Sequence, residues 1–456
     1  MQKSNLTLFI FIALILGVIA GYLYNVYVIN AINTRIITAE ANVTSIDSQL
    51  PGFIDTTSVA YNLLKKQRVT EVRAGEANNA LRDDKLEGFN LLSDIFIRLI
   101  KMIVAPLVFT TLVVGVAKVG DIKSVGRIGG KTLLWFLGAT LVSLLIGMVM
   151  VNLFEPGKAL QITLPNNFIT TGVDKTTLSL KDFAGHIVPR SFFEAMANNE
   201  ILQIVVFSLL FGIATASIGS MGEIVIKAMD AIAQVILKIT SYVMMLAPLA
   251  VFGSITAIVA KQGLTILTTY TVFIGEFYLS LIILWVVILL GGFWVLKKRV
   301  FTLIGHIKDS MLIAFGTSTS ESVYPKLLLE LERFGCNNKI VSFVLPLGYS
   351  FNLDGGMMYM TFASLFIAQA YNIHLSFPQQ LIMLLTLMLS SKGVAGIPRA
   401  ALVVVAATLS MFNIPEAGLA LLIGIDPFLD MGRSATNVLG NAVASAAISK
   451  WEGELR

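Results

Sequence analysis

The last apolar segment of the 456-residue chain carries charged and amide side chains at regular intervals. These residues are Asp426, Asp430, Arg433, Asn437 and Asn441. Their spacing follows the period of an α-helix, which predicts one polar stripe along one helix face. A charge at the centre of a membrane helix costs about 2.5–3.5 kcal/mol. Two acids and one base leave an imbalance of charge, which favours a binding site. The structural alternative is an Asp–Arg pair that merely neutralises itself.

A second polar cluster interrupts the apolar stretch 340–371, where the sequence reads FNLDGG from Phe351 to Gly356. Adjacent glycines weaken a helix by about 1 kcal/mol each relative to alanine and free carbonyl groups there. Free carbonyls beside the Asn352 amide and the Asp354 carboxylate suit a hard cation. The structural alternative is a helix kink with a capping aspartate.

Two further segments suggest turns inside the membrane. GTSTSES, from Gly316 to Ser322, offers four consecutive hydroxyls at residues 317–320 followed by Glu321, and SSKGVAGIP spans Ser390 to Pro398. Exposed N–H groups and hydroxyls in such turns can hold a carboxylate, although Ser/Thr-rich turns are common. The order of broken hairpin and interrupted helix occurs twice, which indicates a secondary transporter with inverted repeats.

Composition indicates a polytopic membrane protein. The chain is 56% hydrophobic and 13% charged, about half the ~25% charged share typical of soluble domains. Residues 132–154 contain no charge and are long enough to cross about 30 Å of hydrocarbon. The three histidines are scattered and no nucleophile–base pattern occurs, so we predict no enzyme, no catalytic residues and no cofactor. The net charge of +5 arises from bases at span ends, which predicts no nucleic-acid partner.

These motifs in this order resemble the dicarboxylate/amino acid:cation symporter family, which includes glutamate transporters. The resemblance covers nearly the whole chain from Leu91 onward and includes RLIKMIVAPLVFTTLVVGVAKVGD, whereas the polar insertion before Leu91 is not part of the family pattern. It implies an all-α fold with eight transmembrane helices, two re-entrant helical hairpins, inverted repeats, an elevator mechanism and a homotrimer. The inverted-repeat rule itself rests partly on a member of this family, so it is not independent support.

The chain is accordingly divided into four regions. Residues 1–29 form the first transmembrane helix, and residues 30–90 form a polar insertion outside the membrane, on the periplasmic or extracellular side. Residues 91–262 supply the remaining scaffold and early transport-domain helices, and residues 263–456 supply the sixth helix and the transport core. That core comprises a hairpin at 302–335, an interrupted helix at 340–371, a second hairpin at 376–413 and a last helix at 416–449. Lys and Arg in the short loops place both termini in the cytoplasm.

The resemblance also implies roles for single residues. Arg433 resembles the arginine that pairs with the substrate side-chain carboxylate, and Asp430 resembles the aspartate that holds its ammonium group. Further substrate contacts are expected at Ser320, the Ile397 backbone, Ser434 and Asn437. The cation-coupling neighbourhood is expected at Gly348, Asn352, Asp354, Asp426, Asn437 and Asn441, with a sodium ion at Asn352, Asp354 and Asn437.

Several positions depart from the family pattern. Asn441 occupies a position where sodium-coupled members carry an aspartate, and Phe136 and Ala139 replace hydroxyl-bearing residues. These changes favour protons as the coupling ion. Coupling to sodium, or to both ions, remains the alternative. Arg399 stands in the second hairpin tip where a small residue is expected, either as a rim charge facing water or as a substrate contact. Glu276 is an isolated membrane acid with no assigned partner.

We therefore predict uptake of glutamate or aspartate by symport with protons, sodium or both, across the inner or plasma membrane. Asp430 and Arg433 are three residues apart, about 4.5 Å along a helix axis, which suits the two ends of a short amino dicarboxylate. The alternatives are symport of a C4-dicarboxylate such as succinate, malate or fumarate, or an anion channel or receptor. The expected partners are the substrate, the lipid bilayer and two further copies of the chain.

Overall fold

The computed structural model describes residues 3–53, 58–119, 122–159, 188–263, 270–391, 400–423 and 425–456. These residues are almost entirely helical, and their only β pairing is an isolated antiparallel bridge between Cys336 and Leu455. Within them, five helical runs are long and apolar enough to cross a membrane. They are Leu8–Gly52, Val59–Ala117, Lys123–Phe154, Ser220–Gln262 and Thr271–Leu296.

The α-helices of the described residues are, in chain order, α1 (Lys3–Tyr24), α2 (Asn30–Gln49), α3 (Val59–Val119), α4 (Ile122–Phe154), α5 (Pro156–Ala159), α6 (Phe192–Ala197), α7 (Ile201–Ser217), α8 (Ser220–Val243), α9 (Ala247–Gln262), α10 (Thr271–Leu296), α11 (Arg299–Thr317), α12 (Tyr324–Phe334), α13 (Asn338–Phe351), α14 (Asp354–Ala370), α15 (Phe377–Ser390), α16 (Ala400–Met411), α17 (Ala420–Ile423) and α18 (Asp426–Trp451). A π-helical turn lies at Asn25–Ile29, and short 3₁₀ turns lie at Leu50–Gly52, Met244–Leu246, Glu321–Val323 and Glu416–Leu419. The chain forms two compact units.

The smaller unit comprises Leu8–Ile95 and Pro248–Thr268. Its α2 and the first part of α3 form a helix pair that is closed by an ion pair between Asp47 and Arg68. The end of α9 is capped by side chains of the π-helical turn and α2, because Asn25 donates to the Ala260 carbonyl at 2.7 Å. A helix end leaves four carbonyls without partners, so this contact satisfies one of them.

The sequence predicted a polar insertion that ends before a separate span near Leu91. The structure instead has one uninterrupted helix of 61 residues, α3, which begins at Val59 and continues to Val119. The physical reason is that Gly75 and Gly88 are isolated, and a single glycine lowers helix stability by only about 1 kcal/mol. The helix therefore continues without interruption from its polar part into its apolar part.

The larger unit comprises Met1–Thr7, Phe96–Ala247 and Thr269–Arg456, and it contains the polar motifs. Helix α11 ends at Thr317, and Ser318 adopts a left-handed backbone conformation with φ 53°. Helix α12 then begins with Pro325 in its first turn, a position where proline loses no helical hydrogen bond. The GTSTSES segment is thus a turn between two helices.

Two other predicted breaks involve the interrupted helix and the second hairpin. Helix α13 ends at Phe351 and α14 begins at Asp354, so Asn352 and Leu353 lie outside regular helix. Helices α15 and α16 lie within the predicted second hairpin segment at 376–413. Its tip, residues 392–399 with Ile397 and Arg399, lies outside the described residues.

The predicted last helix at 416–449 is not continuous. A 3₁₀ turn and the short α17 precede it, and the long helix α18 begins only at Asp426, with Pro427 in its first turn. Asp426 therefore lies at the helix N-terminus rather than in mid-helix. The positive end of the helix dipole stabilises a carboxylate there, typically by 0.3–1 kcal/mol.

Candidate functional site

Arg433 is the centre of the polar stripe on α18. Its Nη2 atom lies 2.9 Å from Oδ1 of Asp430 and 3.3 Å from Oδ1 of Asp426. The Arg433 side chain is buried, and within the described residues its Nε and Nη1 atoms have no hydrogen-bond partner. A buried donor without a partner costs about 1–3 kcal/mol, and more when it is charged. These two donors can therefore bind an anion strongly.

Tyr359 on α14 completes the surroundings of the guanidinium. The Cζ atom of Arg433 lies 4.0 Å from the centroid of the Tyr359 ring, a cation–π contact. The Tyr359 hydroxyl donates to Oδ1 of Asp426 at 2.9 Å. Tyr359 thus orients one of the two aspartates and supports the arginine. Tyr359 was not among the predicted site residues, although a tyrosine five residues after Asp354 in an apolar span was a usable signal.

Asp430 is the accessible member of the charged group. Its side chain is 38% exposed, whereas the side chains of Arg433 and Asp426 are 5% and 7% exposed. Because Asp430 already contacts Arg433, a ligand that enters the site meets a carboxylate and a guanidinium side by side. This arrangement suits a molecule with both an anionic and a cationic group.

Three residues of the predicted cation neighbourhood, Asn352, Asp354 and Asn441, form a buried network, whereas Asp426, predicted in the same neighbourhood, lies beside Arg433. Asn352 donates to Oδ2 of Asp354 and to Oδ1 of Asn441, each at 3.1 Å. All three side chains are essentially inaccessible to solvent. In the described part of the chain, Oδ1 of Asn352 and Nδ2 of Asn441 have no partner. The structure therefore joins residues of the interrupted helix to the end of the stripe.

Two hydroxyls on α4, which the sequence analysis did not include, extend this network. Ser143 donates to Oδ1 of Asp354 at 3.3 Å, and Thr140 donates to the Phe351 carbonyl at 3.4 Å. Phe136 and Ala139, which the sequence analysis identified as lacking hydroxyls, lie on the same helix, and Phe136 is buried. The sequence offered one signal for these two hydroxyls, namely the spacing of Thr140 and Ser143 within a charge-free span.

Two glycines allow the helices to meet at this network. A Cβ atom at Gly440 would lie 1.8 Å from Oδ2 of Asp354, and one at Gly348 would lie 2.3 Å from Oδ1 of Asn441. Real Cβ atoms do not approach so closely, so any side chain at either position would displace the polar network. Gly348, predicted near the cation site, is thus brought into it by packing.

Asn437 joins α14 to α18. Its Oδ1 atom accepts hydrogen bonds from the backbone N–H groups of Gly355 at 2.9 Å and Gly356 at 3.4 Å. Both donors lie in the first turn of α14, where N–H groups lack helical partners. The oxygen expected to contact sodium or substrate is therefore engaged by backbone.

The remaining predicted residues occupy the surroundings of this site. Ser320 is buried in the turn between α11 and α12, and Ser434 is buried on α18. Among the described residues, neither serine forms a hydrogen bond with Arg433 or Asp430. Glu276 lies on α10, and its Oε2 atom is buried without a partner in the described ranges.

Helix α10 contributes two aromatic side chains that the sequence analysis also did not include. The Tyr278 hydroxyl donates to the Phe428 carbonyl at 2.6 Å, and the Trp285 indole N–H donates to the Thr436 hydroxyl at 2.7 Å. Both residues sit in an apolar span, where aromatic residues normally face lipid or core. Their polar atoms instead bind the helix that carries the stripe.

Comparison with known proteins gives a consistent result. The model of the sodium:dicarboxylate symporter family matches residues 6–451. The chain is 40% identical over 406 residues to a C4-dicarboxylate transport protein of Rhodospirillum rubrum, which covers 87% of this chain and 90% of that protein. It is 40% identical over 368 residues to a proton/sodium-glutamate symport protein of Geobacillus stearothermophilus, which covers 80% and 87%. The protein is therefore a member of the sodium:dicarboxylate symporter family, a family of membrane transporters rather than enzymes.

Proposed function

We propose that the protein takes up an acidic amino acid, glutamate or aspartate, by secondary active symport. The observation that carries this proposal is the Arg433–Asp430 pair, in which the buried guanidinium retains two donors without partners in the described chain. A guanidinium binds carboxylate through charge-assisted hydrogen bonds of defined geometry. The neighbouring carboxylate of Asp430 is suited to an ammonium group.

Substrate binding is then an exchange of ion pairs. The substrate carboxylate replaces Asp430 at Arg433, while the substrate ammonium replaces Arg433 at Asp430. The buried Arg433 charge keeps a partner throughout this exchange. A dicarboxylate without an amine would instead bring a second anionic group close to Asp430 with no ammonium to balance it, and like charges placed side by side lower the affinity.

A C4-dicarboxylate such as succinate, malate or fumarate is the second candidate. The relative from Rhodospirillum rubrum and another from Agrobacterium fabrum, 40% identical over 88% of this chain and 93% of that protein, are both named C4-dicarboxylate transport proteins. Arg433 would serve such a substrate equally well, but Asp430 would repel it. An anion channel or receptor would need no coupling ion. Membership of a symporter family therefore disfavours both of these functions.

Protons are the coupling ion that the buried network supports best. Sodium sites use several oxygen ligands, often with a carboxylate that offsets the ionic charge. Here Asn352 contacts the Asp354 carboxylate, and Asn441 contributes a neutral amide. Sodium coupling, alone or together with protons, would rely on Asp354 with the free Asn352 oxygen and the hydroxyls of α4.

The larger architecture proposed is eight transmembrane helices and two re-entrant hairpins in an elevator-type homotrimer with both termini in the cytoplasm. The short hairpin arms support it. Helix α12 has 11 residues and α15 has 14, so they extend about 16 Å and 21 Å, less than the ~30 Å hydrocarbon core. The insertion at 30–90 is proposed to lie outside the membrane. The scaffold at 91–262 and the transport core at 263–456 remain part of this proposal.

The test is uptake by the purified protein in proteoliposomes, with inward pH and sodium gradients imposed separately. Radiolabelled glutamate should accumulate above its external concentration under a pH gradient, and an uncoupler should abolish the accumulation. Uptake that only equilibrates would indicate a channel. Accumulation of succinate but not glutamate would establish the second candidate.

A further inference from the structure

Helix α10 holds α18 on the side away from the polar stripe. It contacts Phe428, Gly432 and Thr436, which are four residues apart and therefore share one helix face. Asp430 and Arg433 project from a different face of the same helix. Helix α10 thus packs on a face of α18 away from the stripe. In the hydrogen bonds described, it contacts neither the Asp430 carboxylate nor the Arg433 guanidinium.

Tyr278 contacts α18 through both its ring and its hydroxyl. A Cβ atom built on Gly432 would lie 3.0 Å from Cε1 and 3.2 Å from Cζ of the Tyr278 ring, and 2.6 Å from Cδ1 of Leu281. The hydroxyl of the same tyrosine donates to the Phe428 carbonyl at 2.6 Å. One side chain therefore spans residues 428–432, the segment that carries Asp430 and ends beside Arg433.

This segment is the beginning of a helix, where the backbone has the least support. Helix α18 starts at Asp426, and its first four N–H groups have no partners within the helix. First turns open more readily than helix interiors. The hydrogen bond from Tyr278 joins this turn to a long membrane helix, so it limits displacement of the half-exposed Asp430 carboxylate.

We propose that Tyr278 is a positioning residue that sets the preference for an amine-bearing substrate, because it fixes Asp430 relative to Arg433. The inference rests on the proposed function and extends it to a residue outside the Asp430–Arg433 pair. Trp285 binds Thr436 one turn beyond Arg433, so it supports the helix without holding the Asp430 turn. The two aromatic residues should therefore differ in their effect on selectivity.

The test is Tyr278→Phe, which keeps the ring on Gly432 and removes the hydroxyl. The KM for aspartate should rise about fivefold, the effect of one net hydrogen bond, with the maximal rate unchanged. The inhibition constant for succinate, which Asp430 repels, should stay constant or fall, so the preference for aspartate falls at least about fivefold. Tyr24→Phe is the matched control, since it removes a hydroxyl that donates to the Lys85 carbonyl in the other compact unit. It should leave both constants unchanged.

Three results would overturn the inference. They are an unchanged KM for aspartate, an equal weakening of aspartate and succinate, and loss of a cooperative thermal unfolding transition in Tyr278→Phe. The second would assign Tyr278 a general packing role, and the third would make its role one of folding. A wild-type protein that transports neither glutamate nor aspartate would instead refute the proposed function, and that outcome is visible without any variant.

Discussion

The Nη2 atom of Arg433 lies 2.9 Å from Oδ1 of Asp430, three residues earlier on the same helix. The two charges neutralise each other within one turn, and Asp426 contacts the same nitrogen at 3.3 Å. A ligand with one carboxylate and one ammonium offers each member of the pair a new partner. Substrate binding therefore preserves the charge balance of the site in the same step in which the substrate is recognised.

Replacement of Arg433 by cysteine should abolish uptake of glutamate and aspartate. Breaking a buried charge pair costs roughly 3–5 kcal/mol, so apparent affinity should fall by about 100-fold or more. Neutral amino acids such as serine should be admitted, because the requirement for a second carboxylate is lost. Counterflow uptake in proteoliposomes measures both effects. Arg68→Ala, which breaks an ion pair in the smaller unit, is the control, and unchanged aspartate transport in Arg433→Cys would refute the role of this arginine.

Replacement of Asp430 by serine should reduce the affinity for aspartate about 10- to 100-fold, since a hydrogen bond to a charged group contributes about 1.5–3 kcal/mol. Succinate should bind more tightly to this variant, because the repelling carboxylate is gone. Ligand-induced thermal stabilisation of the purified protein measures both affinities. Equal losses for the two ligands would show that Asp430 supports the fold rather than the ammonium.

Much of the site could be predicted from local sequence. The intervals between Asp426 and Asn441 placed the polar residues on one helix, and α18 carries all of them. Glycine and hydroxyl residues marked the breaks after Thr317 and Phe351, because the conformation at these points depends on neighbouring residues in the chain. Pro427 in a first turn was an available signal for the helix start at Asp426, where the sequence analysis placed a continuous helix.

The contacts between distant segments could not be predicted in the same way. Tyr359 and Tyr278 each contact α18 through a ring and a hydroxyl. The hydrogen-bond partner of Tyr359 lies 67 residues away along the chain, and the partner of Tyr278 lies farther. In a membrane span, an aromatic residue with a polar tip gives the same pattern whether it faces lipid, interface or a partner helix. Only packing shows which helix receives the hydrogen bond.

Replacement of Asn441 by aspartate should increase the dependence of uptake on sodium. The substitution preserves an oxygen that can accept from Asn352 and adds a second carboxylate near Asp354. Two carboxylates offset a cation better than one, so the sodium concentration for half-maximal uptake should fall. The measurement is aspartate uptake at fixed pH while choline replaces sodium. Asn372→Asp, at an exposed turn, is the control, and an unchanged sodium response in Asn441→Asp would contradict the assignment.

The chain after α18 should contribute pH-dependent stability. A hydrogen bond and the charge of Lys339 lower the pKa of Glu454 below its usual value of 4.5, and Asn337 and Arg456 add to the effect. A lowered folded-state pKa means that the stabilisation is present above pH 4.5 and is lost as the pH falls through the folded value. Because Glu454 is 30% exposed, its contribution should be about 1 kcal/mol or less.

Thermal unfolding of Glu454→Gln tests this expectation. The variant should unfold at a slightly lower temperature than the wild type at neutral pH, and the difference should vanish in acid. Glu223→Gln is the control, since Glu223 is 68% exposed and lies 4.0 Å from Lys227. A difference that grows as the pH falls would contradict the assigned sign.

A comparison of aspartate with succinate on the wild-type protein isolates the contribution of the amine, because the two ligands share a four-carbon dicarboxylate skeleton and differ in that group. The measurement is the inhibition of radiolabelled glutamate uptake by each ligand in proteoliposomes under one fixed gradient. Recognition by the Asp430–Arg433 pair predicts an inhibition constant for aspartate about 10- to 100-fold below that for succinate. Equal inhibition by the two ligands, or tighter binding of succinate, would contradict it.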